Sequence, residues 1–383
     1  MLRRTAALVF AAALLAPAAR ADSWWRANFH AHTADSTVGD DGSELPAALH
    51  AALRARGFAF SVHTPHSTLA TGPGASGAWS RERATEGRLS DRTLTVSVGQ
   101  ELTVAPGPAF RARTEVLGHE APGNLDHLSL VGTTRFVPSG TPVAEACRAA
   151  HEGGGVCIVN HPGPGPMMWE EGLWEAPANR GLIDGLEVYN GQALTAVGID
   201  FEARYREATA YRGLGLKIAA VTGADTHGPS SVKRARSRLH AFGKAAEMLE
   251  RLIPPGGGER PELDAATLVL APSPSEAAIV AAVRSRRTVA VFRLDGLTLD
   301  APGLGQVRAT GDVKLHVGFS RPVGEVTLYR EGEPVRSWHN AREVDFAETI
   351  TRPAAYVFSV RDGYGRMLTS ATWFEPPESS RTP

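Results

Sequence analysis

Residues 45–66 read LPAALHAALRARGFAFSVHTPH. Leu45, Leu49 and Leu53 recur at the spacing of one helix face, and Gly57 follows as a C-terminal stop. Residues 58–62 then form a short apolar run of strand type, followed at once by His63 and His66. A helix, a buried strand and then imidazoles beyond the strand's C-terminal end form the unit of a parallel α/β sheet. The chemistry of such sheets sits at the strand ends.

The unit recurs along the chain. Further strands are expected at 94–98, 128–131, 156–159, 186–189 and 218–221, and further helices at 143–152, 199–212 and 275–285. Glu101 follows strand 94–98, His161 in Asn160-His161-Pro162 follows 156–159, and Ala224-Asp225-Thr226-His227 follows 218–221. His127 is the exception, since it precedes its strand. Near the start, Phe29-His30-Ala31-His32-Thr33 sets two imidazoles at i, i+2, which at a strand end point to one side. Asp225 and His227 repeat that spacing. Neutral imidazoles and carboxylates in this number suit more than one divalent ion, zinc, manganese or iron.

Beyond about residue 302 the texture changes. Stretches 313–319, 325–329, 343–346 and 355–360 alternate apolar and polar residues, with turns at Glu331-Gly332 and Asp362-Gly363-Tyr364-Gly365. A small antiparallel β-sandwich is expected over 299–374, behind an α/β domain over 22–298. A Pro/Ser/Glu tail over 375–383 is expected to be disordered. Loops at 71–83, 107–122 and 163–177 are expected to line the pocket.

Arg3 and Arg4, the apolar stretch 6–15 and Ala19-Arg20-Ala21 read as an export signal over 1–21, so a periplasmic or extracellular bacterial protein is expected. No other stretch has the length to span a bilayer. Lys and Arg total 40 against 41 Asp and Glu, a balance that gives no field for nucleic acid or membrane surfaces. The expected partner is a small, anionic substrate; the oligomeric state is not encoded. Cys147 and Cys157 could pair in an oxidising compartment. Two buried small apolar side chains is the reading favoured for them.

In their order, these segments resemble the PHP (polymerase and histidinol phosphatase) superfamily of metal-dependent phosphoesterases, in a secreted form with a C-terminal β-domain. His30 and His32 match its HxH, Asp41 in Asp40-Asp41-Gly42 its loop acid, and His66 its TDH histidine. Glu101, His127, His161, Asp225 and His227 match the remainder. Two departures stand out: Pro65 replaces the acid before His66, and the loop to Asp41 is long, leaving Asp40 or Asp35 as alternatives. His63 is an extra, either a ligand or a group behind the ligands.

The resemblance implies a distorted (βα)7 barrel with two or three divalent ions at its rim. His30, His32 and Asp225 would hold one, His127 and His161 a second, and Asp41, His66 and His227 a third. Glu101 would bridge the first two. Glu187 would orient a ligand histidine. Phosphoester hydrolysis by a metal-bridging hydroxide, positioned by Glu101 and Asp225, is the implied reaction. Amide, carbamate or ester cleavage at the same centre, or a metal-holding module without turnover, are the alternatives. Lys233, Arg234, Arg236 and Arg238 either supply a cation for substrate or form a solvated face; the latter is favoured.

Overall fold

The computed structural model describes residues 21–34, 36–66, 74–106, 126–163, 169, 172–229, 260–294 and 296–377. Residues 1–20 of the expected export signal, Asp35, the basic run 233–238, the loop 107–122 and the end of the tail, 378–383, lie outside the described residues.

Strands β1 (Ser23–Asn28), β2 (Phe60–His63) and β3 (Thr95–Val98) run parallel, with Ala27 beside Phe60 and Phe60 beside Thr95. The crossovers carry α1 (Pro46–Ala55) and α2 (Ala75–Gly87). Most of 74–83, expected as loop, therefore belongs to a helix. Pro46, with fixed φ and no N–H, takes the first turn of α1. Leu45 is left outside as an exposed cap while Leu49 and Leu53 are buried, so the expected leucine face loses its first member.

Gly99 is a corner. After it, β4 (Gln100–Thr103) leaves the first sheet for a second, ordered β4, β5 (His127–Val131), β6 (Val156–Val159), β7 (Gly185–Asn190) and β8 (Ala219–Gly223). A Cβ at position 99 would lie 2.6 Å from the Leu130 carbonyl oxygen, so glycine is what lets the β5 backbone pass. β5 is antiparallel to both neighbours, while β6, β7 and β8 are parallel. The two sheets meet again where Ala31 bridges Thr226. Asp225 N–H donates to the His30 carbonyl (2.9 Å) and His32 N–H to the Thr226 carbonyl (3.0 Å). The β1–β3 strands and the five-stranded sheet are thus joined at the Gly99 corner and again at this bridge.

Helices are few. α3 (Val143–Glu152) precedes β6, and α4 (Gly191–Val197) and α5 (Glu202–Thr209) follow β7. The helix expected over 199–212 is shortened to α5, because the chain turns at 210–215, with φ of 63° at Gly215. Cys147 of α3 and Cys157 of β6 are disulfide-bonded, with Cα atoms 5.2 Å apart. That corrects the expectation of two unpaired apolar side chains: a helix packed on the strand that follows it brings both sulfurs together.

β9 (Ala265–Ala271) lies antiparallel to β1, and β10 (Thr288–Phe292), reached through α6 (Glu276–Arg284), antiparallel to β9. β16 (Gly365–Thr369) then pairs with β10, so one 12-stranded sheet continues into the sheet-rich C-terminal part. The remaining strands there are β11 (Leu299–Asp300), β12 (Val307–Ala309), β13 (Gly311–Arg330), β14 (Glu333–Ile350), β15 (Ala354–Asp362) and β17 (Thr372–Glu375). The two strands expected at 313–319 and 325–329 are one, β13, whose register shift between Gly318 and Val323 accommodates Pro322. Glu331 and Gly332, with φ of 54° and 80°, make the two-residue hairpin turn that joins it to β14. All pairings in this part are antiparallel among the described residues except β12 with β17.

Leu368 and Trp373 of the C-terminal strands share a core with Leu186, Val188 and Tyr205, and Trp373 Nε1–H donates to the Thr209 carbonyl (3.2 Å). No helix among the described residues is long and apolar enough to cross a membrane.

Candidate metal centre

One rim of these two joined sheets collects the residues singled out in the sequence, and Glu101 is their hub. Its Oε2 lies 3.1 Å from His30 Nε2, 3.0 Å from His32 Nε2 and 3.4 Å from His66 Nε2. Its Oε1 lies 2.9 Å from His127 Nδ1 and 3.3 Å from His161 Nε2. Asp225 Oδ1 sits 3.3 Å from His30 Nε2, 3.4 Å from His32 Nε2 and 3.7 Å from His227 Nδ1. Asp41 Oδ1 completes the outer side, 3.1 Å from His227 Nε2 and 3.6 Å from His66 Nε2. All of the expected positions are therefore brought together.

The antiparallel strand resolves the apparent exception. β5 runs against β6, so its first residue, His127, lies at the same rim as the C-terminal end of β6 and its neighbour His161. Two positions on the rim are held in left-handed backbone, His161 at φ 29° and Asp225 at φ 50°. Non-glycine residues rarely adopt that region, and such strain concentrates at functional sites. Gly223, just before, is needed because a Cβ there would meet His30 Cβ at 2.2 Å and Glu187 Oε1 at 2.6 Å.

The imidazoles are oriented from behind. Glu187 Oε1 accepts from His30 Nδ1 (3.1 Å), and Asp40 Oδ1 accepts from His32 Nδ1 (2.8 Å). These acceptors place the ring hydrogens on Nδ1 and leave both Nε2 atoms as lone pairs. The two Nε2 atoms are 3.1 Å apart, an arrangement that repels unless a proton or a cation lies between them and the facing carboxylates. His32 is stacked between His66 and His227, with centroids 4.7 and 4.2 Å away. Neutral imidazole nitrogens and carboxylate oxygens converging in this way fit divalent ions of the zinc, manganese and iron class. At this rim, among the described residues, three groupings have donor atoms close enough to share one ion: His30, His32 and Glu101; His66, Glu101 and His127; and His32, Asp41, His66 and His227.

Burial would lower the proton affinity of His30 and His32, but the surrounding carboxylates win. Glu101, Asp225 and Glu187 around His30, and Asp40 beside His32, hold both well above 6.5. His161 is raised for the same reason, by Glu101. Glu101 and Asp225 lie below the ordinary carboxylate range, burial being outweighed foremost by His30. His66 is pushed the other way, down to about 4, because burial and the neighbouring imidazoles His32 and His127 outweigh Glu101. The field that draws protons to His30 and His32 is the field that draws a cation, since both compete for the same lone pairs.

Between the two candidates for the loop acid the structure separates roles. The Asp41 side chain is 61% exposed and faces His227, His66 and His32 from the open side. The Asp40 side chain is 1% exposed and lies behind, bonded to His32, to His63 Nε2 (3.0 Å) and to Thr33 N–H (2.9 Å). His63 accordingly faces away from Glu101, toward Asp40 and toward Glu86 Oε1 (2.9 Å). The expectation that Glu187 orients a histidine matches its position, and it also accepts from the His161 N–H (2.8 Å).

Sequence reasoning passed over two asparagines. Asn160 Nδ2–H donates to Glu101 Oε1 (3.0 Å), and Asn190 Nδ2–H donates to Asp225 Oδ2 (2.9 Å), leaving Oδ1 toward the imidazoles. Each lies in a motif already noticed, next to His161 and at the end of strand β7. Their signal was adjacency, not residue type.

No family model matches the chain, and no curated protein matches it. Among solved structures, a two-domain protein containing a predicted PHP-like metal-dependent phosphoesterase from Bacteroides vulgatus is 17% identical, with 88% of this chain and 91% of that chain covered and a TM-score of 0.43. Structures of YwqE from Bacillus subtilis and CpsB from Streptococcus pneumoniae, described as metal-dependent tyrosine phosphatases, are similar at 15% identity, covering 59% of this chain and 91% of that chain (TM-score 0.32). A structure described as a metal-dependent phosphoesterase from Bifidobacterium adolescentis is similar at 19% identity, covering 56% and 96% (TM-score 0.30). At such identities and scores these likenesses assign no activity to this chain.

Proposed function

We propose that this chain is an exported metal-dependent hydrolase of the PHP type, acting on a small phosphoester. The observation that carries the reading is Glu101, a buried carboxylate whose two oxygens each face two or more imidazoles, drawn from four separate segments of the chain. Two groups of ligands sharing one carboxylate is what a bridged pair of ions requires. In this reading His30, His32 and Asp225 hold one ion, His127 and His161 a second, and Asp41, His66 and His227 a third. When bound, such ions supply Lewis acidity toward a phosphoryl oxygen and acidify a water.

The chain's own residues do the positioning. Asn160 and Asn190 fix the rotation of Glu101 and Asp225, while Asp40 and Glu187 fix the tautomers of His32 and His30. His66, neutral near pH 7, keeps a lone pair at the partly exposed edge of the site.

The charge of the rim bears on the substrate. Asp41, Glu101 and Asp225 face the imidazoles, with Asp40 and Glu187 behind, five carboxylates and a formal −5. Three divalent ions would bring the sum to +1 and a hydroxide back to zero, so what favours a phosphoester is the Lewis acidity its non-bridging oxygens would meet at the ions themselves. Export is supported by the N-terminal pattern of Arg3, Arg4 and the apolar stretch after them, and by the Cys147–Cys157 bond, which belongs to oxidising compartments.

The test is turnover of an aryl phosphate against an aryl carbamate by purified, metal-loaded protein. Phosphate release is expected. Carbamate cleavage alone would move the reading to carbonyl chemistry, and hydrolysis of neither by fully loaded protein would leave a metal-holding module.

A further inference from the structure

Helix α2 turns an unusual stripe inward: Ala75, Trp79, Glu82 and Glu86 are its buried residues. Two glutamates on the buried face of one helix meet the extra histidine, His63, which the rim centre does not use. All three side chains are at least nine-tenths buried, with exposures of 2% for Glu82, 4% for Glu86 and none for His63. Donor atoms from the three lie within 4.8 Å of one another.

Their hydrogen bonding is incomplete in a directed way. Glu82 Oε2 accepts from Thr37 N–H (2.9 Å) and from its hydroxyl (2.5 Å), but Glu82 Oε1 has no partner among the described residues. Glu86 Oε2 likewise has none. His63 Nδ1 lies 2.9 Å from Glu86 Oε1, yet outside hydrogen-bond geometry, as two ligands of one ion would lie. Buried, unpaired carboxylate oxygens are costly, and one imidazolium would leave the two carboxylates at a net −1. A divalent ion with neutral His63 and both carboxylates sums to zero.

We propose that His63, Glu82 and Glu86 form a separate divalent-cation site, distinct from the rim centre, for zinc or manganese. Three protein donors of imidazole and carboxylate type leave room for a water, a common pattern for such ions. The ion would take His63 through Nδ1 and so keep the ring hydrogen on Nε2. That hydrogen is donated to Asp40 Oδ2 (3.0 Å), with Thr33 Oγ1 alongside (2.9 Å). Asp40 in turn holds His32 Nδ1. The ion at His63 thus braces, through two side chains, the tautomer of a residue of the rim.

The experiment is metal content of the full chain after chelation, reloading with Zn²⁺ or Mn²⁺ and desalting. E82Q/E86Q is expected to hold one ion fewer than wild type. D225A, which damages only the rim, is expected to retain an ion that the E82Q/E86Q/D225A variant loses. Equal metal content of wild type and E82Q/E86Q, or of D225A and the triple variant, would overturn the proposal. Should the double variant fail to fold, anomalous diffraction from wild-type crystals decides: a metal peak among His63, Glu82 and Glu86 supports the site. Peaks at the rim alone overturn it, and a peak among His63, Glu82 and Glu86 alone would sink the rim reading while leaving this one standing.

Discussion

Replacing Glu187 by glutamine tests the orientation of the rim most sharply. The carboxylate is 2% exposed and serves three donors with two oxygens: His30 Nδ1–H on Oε1, and His161 N–H and Asn190 Nδ2–H on Oε2. Glutamine keeps the volume but offers one oxygen. If its NH2 replaces Oε2, it opposes the His161 N–H, in a residue already at φ 29°. If it replaces Oε1, His30 must surrender its Nδ1 hydrogen and carry it on Nε2, the atom that faces Glu101 and His32. Either way a buried group loses its partner, which costs about 1–3 kcal/mol. At about 1.4 kcal/mol per decade, metal affinity should fall roughly 10- to 100-fold, the range typical for groups that hold ligand histidines. A competition titration against a chromophoric chelator measures it, with circular dichroism to confirm the fold. A folded Glu187→Gln protein with wild-type metal affinity would refute the assignment of Nε2 as the ligand atom of His30.

Asp225→Ala and Glu101→Ala should each lose rim metal together with activity, read by elemental analysis; unchanged content would remove those residues from the ligand set. In chelated protein His63 is raised to about 9, its burial outweighed by Asp40 and Glu86, from an ordinary value of 6.5. Its contribution to stability is then complete below pH 6.5 and lost as pH rises through about 9, with His30 and His32 acting in the same direction. Metal-loaded protein should gain stability over that window, because the ions displace those protons. Melting curves with and without chelator should therefore slope oppositely, and parallel slopes would argue against metal at these histidines. Breaking the Cys147–Cys157 bond, which spans a separation of 10 residues, should cost about 3 kcal/mol by loop-closure entropy, measured by denaturant unfolding of the Cys147→Ala/Cys157→Ala protein. Identical unfolding free energies would show that the bond does not constrain the unfolded chain.

The rim was legible because a ligand needs both its chemical type and a strand end, and both can be read locally: His161 after β6 and Asp225 after β8 are examples. His127 looked out of place because strand direction is not a local property. The reversal at β5 depends on the corner at Gly99, where the constraint is the approach of Leu130, a contact set by tertiary structure. Helix α2 was missed for the opposite reason. Its buried stripe contains Glu82 and Glu86 where periodicity requires apolar residues, so a helix with two inward acids reads as loop. The long strand β13 was divided for a related reason, Pro322 being a strand breaker unless a bulge absorbs it.

Pro65 gains a physical meaning from the same geometry. The resemblance places an acid there, before His66. In the structure the Pro65 carbonyl accepts the Glu101 N–H (3.1 Å), while Thr64 N–H donates to the Ala31 carbonyl (2.8 Å). The segment therefore splices the HxH strand to the strand that carries the hub. A side-chain acid at 65 is not needed to support His32, because Asp40 reaches it at 2.8 Å from another loop and also lies 3.4 Å from the His66 N–H. Adjacent aspartates are indistinguishable in sequence, and only the path of the chain after the turn at 37–38 sends Asp40 inward and Asp41 out. Asp41 is then left free to face His66 and His227, the pair that the third ion would need. The departure at 65 thus relocates a supporting carboxylate and leaves the outer donors together.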